Sequence, residues 1–120
     1  MSLLDRVYDP ESFRKSGHLL VDLLADNLSQ NLLSIPEKVI DYIQPDKNYE
    51  NWKDKKFDDP EQYFKELISN SIRIQHPRYI GHQVSAPAPL ATLAGFEGLM
   101  LNSGGAIYEM SAASSTLEKL

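Results

Sequence analysis

The sequence predicts an all-α chain, and three observations carry that prediction. Apolar residues return every three or four positions through two long stretches. Both stretches open on Asp-Pro-Glu, at Asp9-Pro10-Glu11 and Asp59-Pro60-Glu61. That pattern sets a capping carboxylate before a proline suited to the first helical position. A third proline, Pro89, precedes an apolar run of helical length.

The bulk properties narrow the function classes. A chain of 120 residues with 42% hydrophobic content fits one domain, with enough apolar mass for a core if it folds alone. Its net charge of -5 offers nucleic acid no basic stripe. The absence of cysteine excludes a disulfide scaffold and thiolate chemistry. The start, MSLLDRVYDP, has acids and no long apolar core, so it is not a secretory signal. The longest apolar run, around Leu90 to Leu101, is too short for a bilayer and is interrupted by Glu97. A cytoplasmic protein without membrane or nucleic-acid partners is the expectation.

The first element is a helix over about 10–32. Phe13, Gly17, Leu20, Val21, Leu24, Leu28 and Leu32 recur at helical spacing, and Leu19 and Leu23 widen the stripe. So broad an apolar face implies burial against something large. Residues 34–58 read mostly as linker. Pro36 permits a short helix with Val39, Ile40 and Ile43 on one side. From Asp46 to Glu66, seven acids face five bases, a pattern that reads as solvated surface. The next helix spans about 60–74 and is stopped by Pro77.

Residues 76–89 should be irregular, because Pro77, Pro87 and Pro89 forbid a regular element. A helix over about 89–102 follows, apolar nearly all round and therefore expected to be buried. Its small residues Ala91, Gly95 and Gly98 would let another backbone come close. "NSGGA" is a tight break, and a last helix over 112–120, with Ser111 as its cap, is cut off at Leu120 without a stop signal. The chain therefore reads as a piece of something longer. From Tyr79 to Leu117 there is no lysine or arginine, and the acids are Glu97 and Glu109. A third of a charged chain is thus set aside as nearly uncharged surface.

Chemistry is scarce in the residues themselves. His18 reads as a half-exposed helix residue. His76 and His82 lack a third ligand at a recognisable spacing, so no metal site is expected. Ser114, Ser115 and Thr116 open a helix and have no base or oxyanion motif beside them. "NSGGA" lacks the strand, helix and lysine of a phosphate loop.

Three blocks in order carry a family resemblance: SFRKSGHLLVDLLADNL, HPRYIGHQVSAPAP and NSGGAIYEMSAASSTLEKL. Together they resemble the N-terminal region of the group II pyridoxal-phosphate-dependent decarboxylases, which act on aromatic amino acids, glutamate, histidine and diaminobutyrate. The resemblance runs from Asp9 to Leu120 apart from the acidic linker. It implies the helical N-terminal arm of a fold-type-I enzyme whose main domain is α/β. In that family the arm wraps over the neighbouring subunit of an intertwined homodimer and lines its active site.

Position by position, the resemblance places His82 and Gln83 where aromatic-amino-acid decarboxylases carry a Tyr-Phe pair beside the substrate ring. Ser85 falls beside the substrate carboxylate. Gly104 and Ala106 fall where the neighbouring subunit usually supplies bulky apolar contacts, with Tyr108 on the same rim. Loss of the aromatic pair and of the bulky residue implies a polar or longer amino-acid substrate. Ala112 stands where the family commonly has proline, which loosens the match there. No catalytic residue or Schiff-base lysine motif is present, so this chain alone should be silent and the cofactor, pyridoxal 5'-phosphate, should belong to the parent. Two other readings stay open: a non-catalytic helical interaction module, and a small free-standing enzyme or metal protein.

Overall fold

The structure, a computed structural model, describes residues 2–56, 59–81, 83–104 and 107–120. Among these residues the architecture is all-α, with no strand. The chain divides into two units, Met1–Val84 and Ser85–Leu120.

The first unit holds α1 (Leu3–Val7), α2 (Pro10–Leu32), α3 (Pro45–Trp52) and α4 (Pro60–Ser69). The starts of α2 and α4 follow from their caps. The Asp9 carboxylate accepts the Ser12 amide at 2.8 Å and the Asp59 carboxylate accepts the Gln62 amide at 2.8 Å, each with proline next. The Ser12 hydroxyl and then the Ser12 amide hold the Asp9 carboxyl below the usual range. α1 opens on a reciprocal box, in which the Ser2 hydroxyl accepts the Asp5 amide and Asp5 accepts the Ser2 amide.

α2 packs on α4. The side of α2 that becomes half-buried carries Ser16, Leu19, Leu23 and Asn27, and it ends at the buried Asn31. Phe13, Val21, Leu24 and Leu32 stay exposed. At roughly 100° per residue Phe13 and Leu24 fall within the arc of the half-buried residues, which also include Gly17, Leu20 and Leu28, while Val21 and Leu32 lie just past its edge. The broad apolar face is therefore only partly used within this chain.

Three boundaries differ from the sequence-based expectation. α3 stands inside the stretch read as linker. Pro45 opens it, and the Trp52 indole N–H donates to Asn48 Oδ1 one turn back at 3.1 Å. Lys55 then lies 4.4 Å over the Trp52 ring and 2.5 Å from Glu66, which ties the end of α3 to α4. No helix forms after Pro36. α4 stops at Ser69 rather than near 74, because polar side chains take its last carbonyls. Asn70 Nδ2 donates to the Glu66 carbonyl at 2.8 Å and Ser71 Oγ to that of Leu67 at 2.7 Å.

The second unit holds α5 (Pro89–Leu101), a 3-10 turn (Tyr108–Met110) and α6 (Ala112–Leu117), which ends short of the expected 120. Asn102 closes α5 at a left-handed φ of 45°, a conformation its short amide tolerates. Ser111 does not cap α6 through its side chain. Its hydroxyl is instead shared with Ser115 at 2.9 Å, while its carbonyl accepts the Ser115 amide.

Burial is inverted relative to an ordinary domain. Among the described residues no apolar side chain is buried; the buried ones are Asn31, His76 and Ser111. Every residue of α5 is exposed, with Leu90 at 80% and Leu99 at 81%. The burial expected for this helix is not met within the chain, and nothing lies within 4 Å of a Cβ placed on Gly95 or Gly98. The chain exposes 10251 Å2. A folded monomer of this mass would expose about 6,600 Å2, and two separately folded pieces of these lengths about 7,800 Å2 together. The excess is larger than a standard protein interface, which buries roughly 1,600 Å2 in all.

Candidate functional site

The site expected from the sequence comprises His82, Gln83, Ser85, Gly104, Ala106 and Tyr108. His82 and Ala106 lie outside the described residues. Gln83 is exposed near the end of the first unit and holds a left-handed φ of 48°. That conformation is unusual for a residue with a Cβ and is costly unless its surroundings hold it. Ser85 opens the second unit and is exposed.

Gly104 and Tyr108 share one local structure in the second unit. Tyr108 begins the 3-10 turn, and its carbonyl accepts the Ser111 amide at 3.1 Å. Met110, on the same turn, reaches back so that its Cε would lie 2.8 Å from a Cβ at Gly104. The glycine therefore admits the methionine, and the Tyr108 side chain stays exposed.

One residue that the sequence offered only as half of an incomplete metal pair has a different part in the structure. His76, read as part of an irregular stretch, is only 3% exposed and organises a tight turn. Its N–H donates to the Arg73 carbonyl at 3.1 Å, and its carbonyl accepts the Tyr79 N–H at 2.9 Å. Its Nδ1 accepts the Arg78 N–H at 3.0 Å, so the proton of the neutral ring sits on Nε2. Nε2 is buried and has no hydrogen-bond partner among the described residues.

Two arginines bolt this turn to the coil before α3. The Arg73 guanidinium donates to the Lys38 carbonyl and to Asp41 Oδ2, each at 2.9 Å, and its amide donates to the Val39 carbonyl at 3.1 Å. Arg78 pairs with Glu37 at 2.7 Å. This hydrogen bond, with the attraction of the guanidinium, holds the Glu37 carboxyl below its usual range. Beyond the turn, the Tyr79 ring fills the space that a Cβ on Gly81 would need. A spacing rule could not have shown this, since the histidine's ring partner is only two residues away.

Two open clefts lie in the first unit. One, of about 310 Å3, is lined by residues including Tyr42, Asn48, Trp52 and Asn70. Its polar groups are largely spent on each other: Asn48 accepts from Trp52, Asn70 closes α4 and Asp41 holds Arg73. The other, of about 680 Å3, joins Arg6 and Lys15 to Asp9, Asp59 and Glu61. Asp9 and Asp59 already serve as helix caps. The first cleft is lined by Trp52 without a lysine, and the second by Lys15 without an aromatic ring. Among the described residues no group of three or more histidines or acids could hold a metal, and no helix is long and apolar enough to cross a membrane. No protein-family model, curated protein or solved structure matches the chain.

Proposed function

We propose that this chain is the N-terminal helical segment of a pyridoxal-phosphate-dependent amino-acid decarboxylase, contributing homodimer contacts and the rim of the active site. The parent enzyme releases carbon dioxide from an amino acid that is polar rather than aromatic. The observation that supports this reading best is the inverted burial. The apolar side chains face outward along α5 and along one face of α2, while the buried side chains are polar. A segment that wraps over a second subunit needs that pattern, because exposed apolar patches of this size are rarely tolerated on monomers. The uncharged interval from Tyr79 to Leu117 suits a rim beside a charged cofactor and substrate.

In this reading the cofactor is held by the rest of the parent, where it supplies the electron sink for decarboxylation. The residues of this chain contact substrate from the rim: Gln83, with His82, in place of an aromatic pair, then Ser85 and Tyr108. Gly104, with Ala106, leaves room for a longer side chain.

The test is to express the complete reading frame with pyridoxal phosphate. Visible absorption of the bound cofactor is recorded together with carbon dioxide release from phenylalanine, tyrosine, glutamate, histidine and 2,4-diaminobutyrate. Cofactor absorption with turnover of one of the polar amino acids is expected. A soluble product with neither absorption nor turnover would overturn the reading and favour a non-catalytic interaction module.

A further inference from the structure

We infer that His76 is a positioning residue: it locks the turn that leads to Gln83 and so fixes the substrate rim. This inference rests on the functional reading above for what the rim does, but the lock itself stands on geometry. His76 is one of three buried side chains among the described residues, and its main-chain N–H, its carbonyl and its Nδ1 all bond within the turn. Burying a polar ring where no apolar side chain is buried is costly unless those bonds are made. The turn is anchored at both ends. Arg73 and Arg78 reach back to the coil over residues 37–41. Forward, the Tyr79 ring closes on Gly81, two residues before the left-handed Gln83.

A continuous set of contacts thus runs from Glu37 to Gly81. It restricts the backbone over residues 70–81, which contain no helix. An exposed loop without such a lock would sample many conformations, and a substrate contact made from it would carry an ordering cost. His76 removes that cost through Nδ1, the ring atom that accepts the Arg78 amide.

The position of that acceptor makes the inference specific. An asparagine at 76 offers Oδ1 near the place of Nδ1, whereas a glutamine carries its oxygen one atom further out. His76→Asn should therefore keep the lock and His76→Gln should lose it, although both replacements are polar and uncharged.

The experiment uses the complete, cofactor-loaded protein. Amide exchange of Arg78 and Tyr79 is measured in wild type and both variants. Steady-state kinetics follow on the panel amino acid with the highest turnover. Wild type and His76→Asn should protect both amides, and in His76→Gln they should exchange at least about tenfold faster. KM should rise about tenfold in His76→Gln with kcat within about twofold, and should stay within about threefold of wild type in His76→Asn.

Free exchange of the Arg78 and Tyr79 amides in wild type would overturn the inference whether or not either variant folds. Equal KM changes in the two variants, or released amides with an unchanged KM, would also overturn it. A wild-type protein that binds no cofactor would sink the functional reading instead, and the amide result would still decide whether the lock exists.

Discussion

The two units of this molecule are stabilised by different means. Met1–Val84 carries 11 of the 12 lysines and arginines and all the ion pairs found among the described residues. Its two longest helices, α2 and α4, are capped by carboxylates, and its coil over residues 38–41 is tied by Arg73 to the Lys38 carbonyl. Ser85–Leu120 has one cation, Lys119, and no carboxylate cap, and its longest helix shows apolar side chains to solvent. Caps and clamps act over a few residues and work wherever the chain is. An apolar helix gains stability only when something covers it. The first unit is therefore specified locally, and the second, on the function proposed above, is written for a surface supplied from elsewhere.

The sharpest way to break this comparison is to charge α5. Leu99→Asp should change the stability of the 120-residue chain by no more than about 0.5 kcal/mol, as an exposed substitution does. In the parent enzyme proposed above it should cost more than about 2 kcal/mol, because there it would bury an unpaired carboxylate. Urea denaturation of both forms, with gel filtration for assembly, measures the difference. Equal small effects would remove the distinction between the units.

Arg73→Ala should cost the first unit about 2 kcal/mol in urea, the range for hydrogen bonds made by a charged group. Its loss frees the Lys38 carbonyl and Asp41 together. Amide exchange in α5 and α6 should not change; a change there would mean the two units are not independently specified.

Asp59→Ala should cost about 1 kcal/mol, the usual value of a lost helix cap. Far-UV circular dichroism on thermal unfolding checks this. The Asp9 cap adds a pH dependence of known sign. Its folded-state carboxyl lies below the ordinary aspartate range, so its contribution is fully present above that range. The contribution is lost as pH falls through the depressed folded value. Asp9→Asn should flatten the acid limb of the stability curve, and an unchanged acid limb would contradict this cap.

The smallest effect carries the most information about context. Gly98→Ala should stabilise α5 in the 120-residue chain by about 0.5–1 kcal/mol, since an exposed helical glycine has open space where its Cβ would be. In the complete protein the same change should destabilise, if another backbone passes close to Gly98. The same sign in both forms would leave the small-residue row without a packing role.

Much of the helical framework was legible because proline marks it. Pro10, Pro60 and Pro89 each stand at the first turn of the helix they were expected to open. Pro45 carries the same mark before Asp46, and α3 was missed because the mixed charge around it read as linker. The end of α4 was overrun because Ile72 and Ile74 continue the apolar spacing. Whether Asn70 and Ser71 take the last carbonyls is a side-chain choice that periodicity does not show.

The candidate site was less legible than the framework. Gln83 gave no sign of its left-handed backbone, and the importance of His76 lies in bonds to residues two and three positions away. Hydropathy showed that α5 is apolar all round, but apolarity does not say whose surface covers it. The expected burial of α5 is not met within the chain.

Amide exchange across residues 89–101, compared between the 120-residue chain and the complete protein, tests the central claim most directly. The account expects weak protection in the chain alone and protection at least about a thousandfold greater in the complete protein, as a helix buried in a stable interface would show. Equal exchange in the two forms would contradict it, because α5 would then be a solvent-exposed helix in its working state.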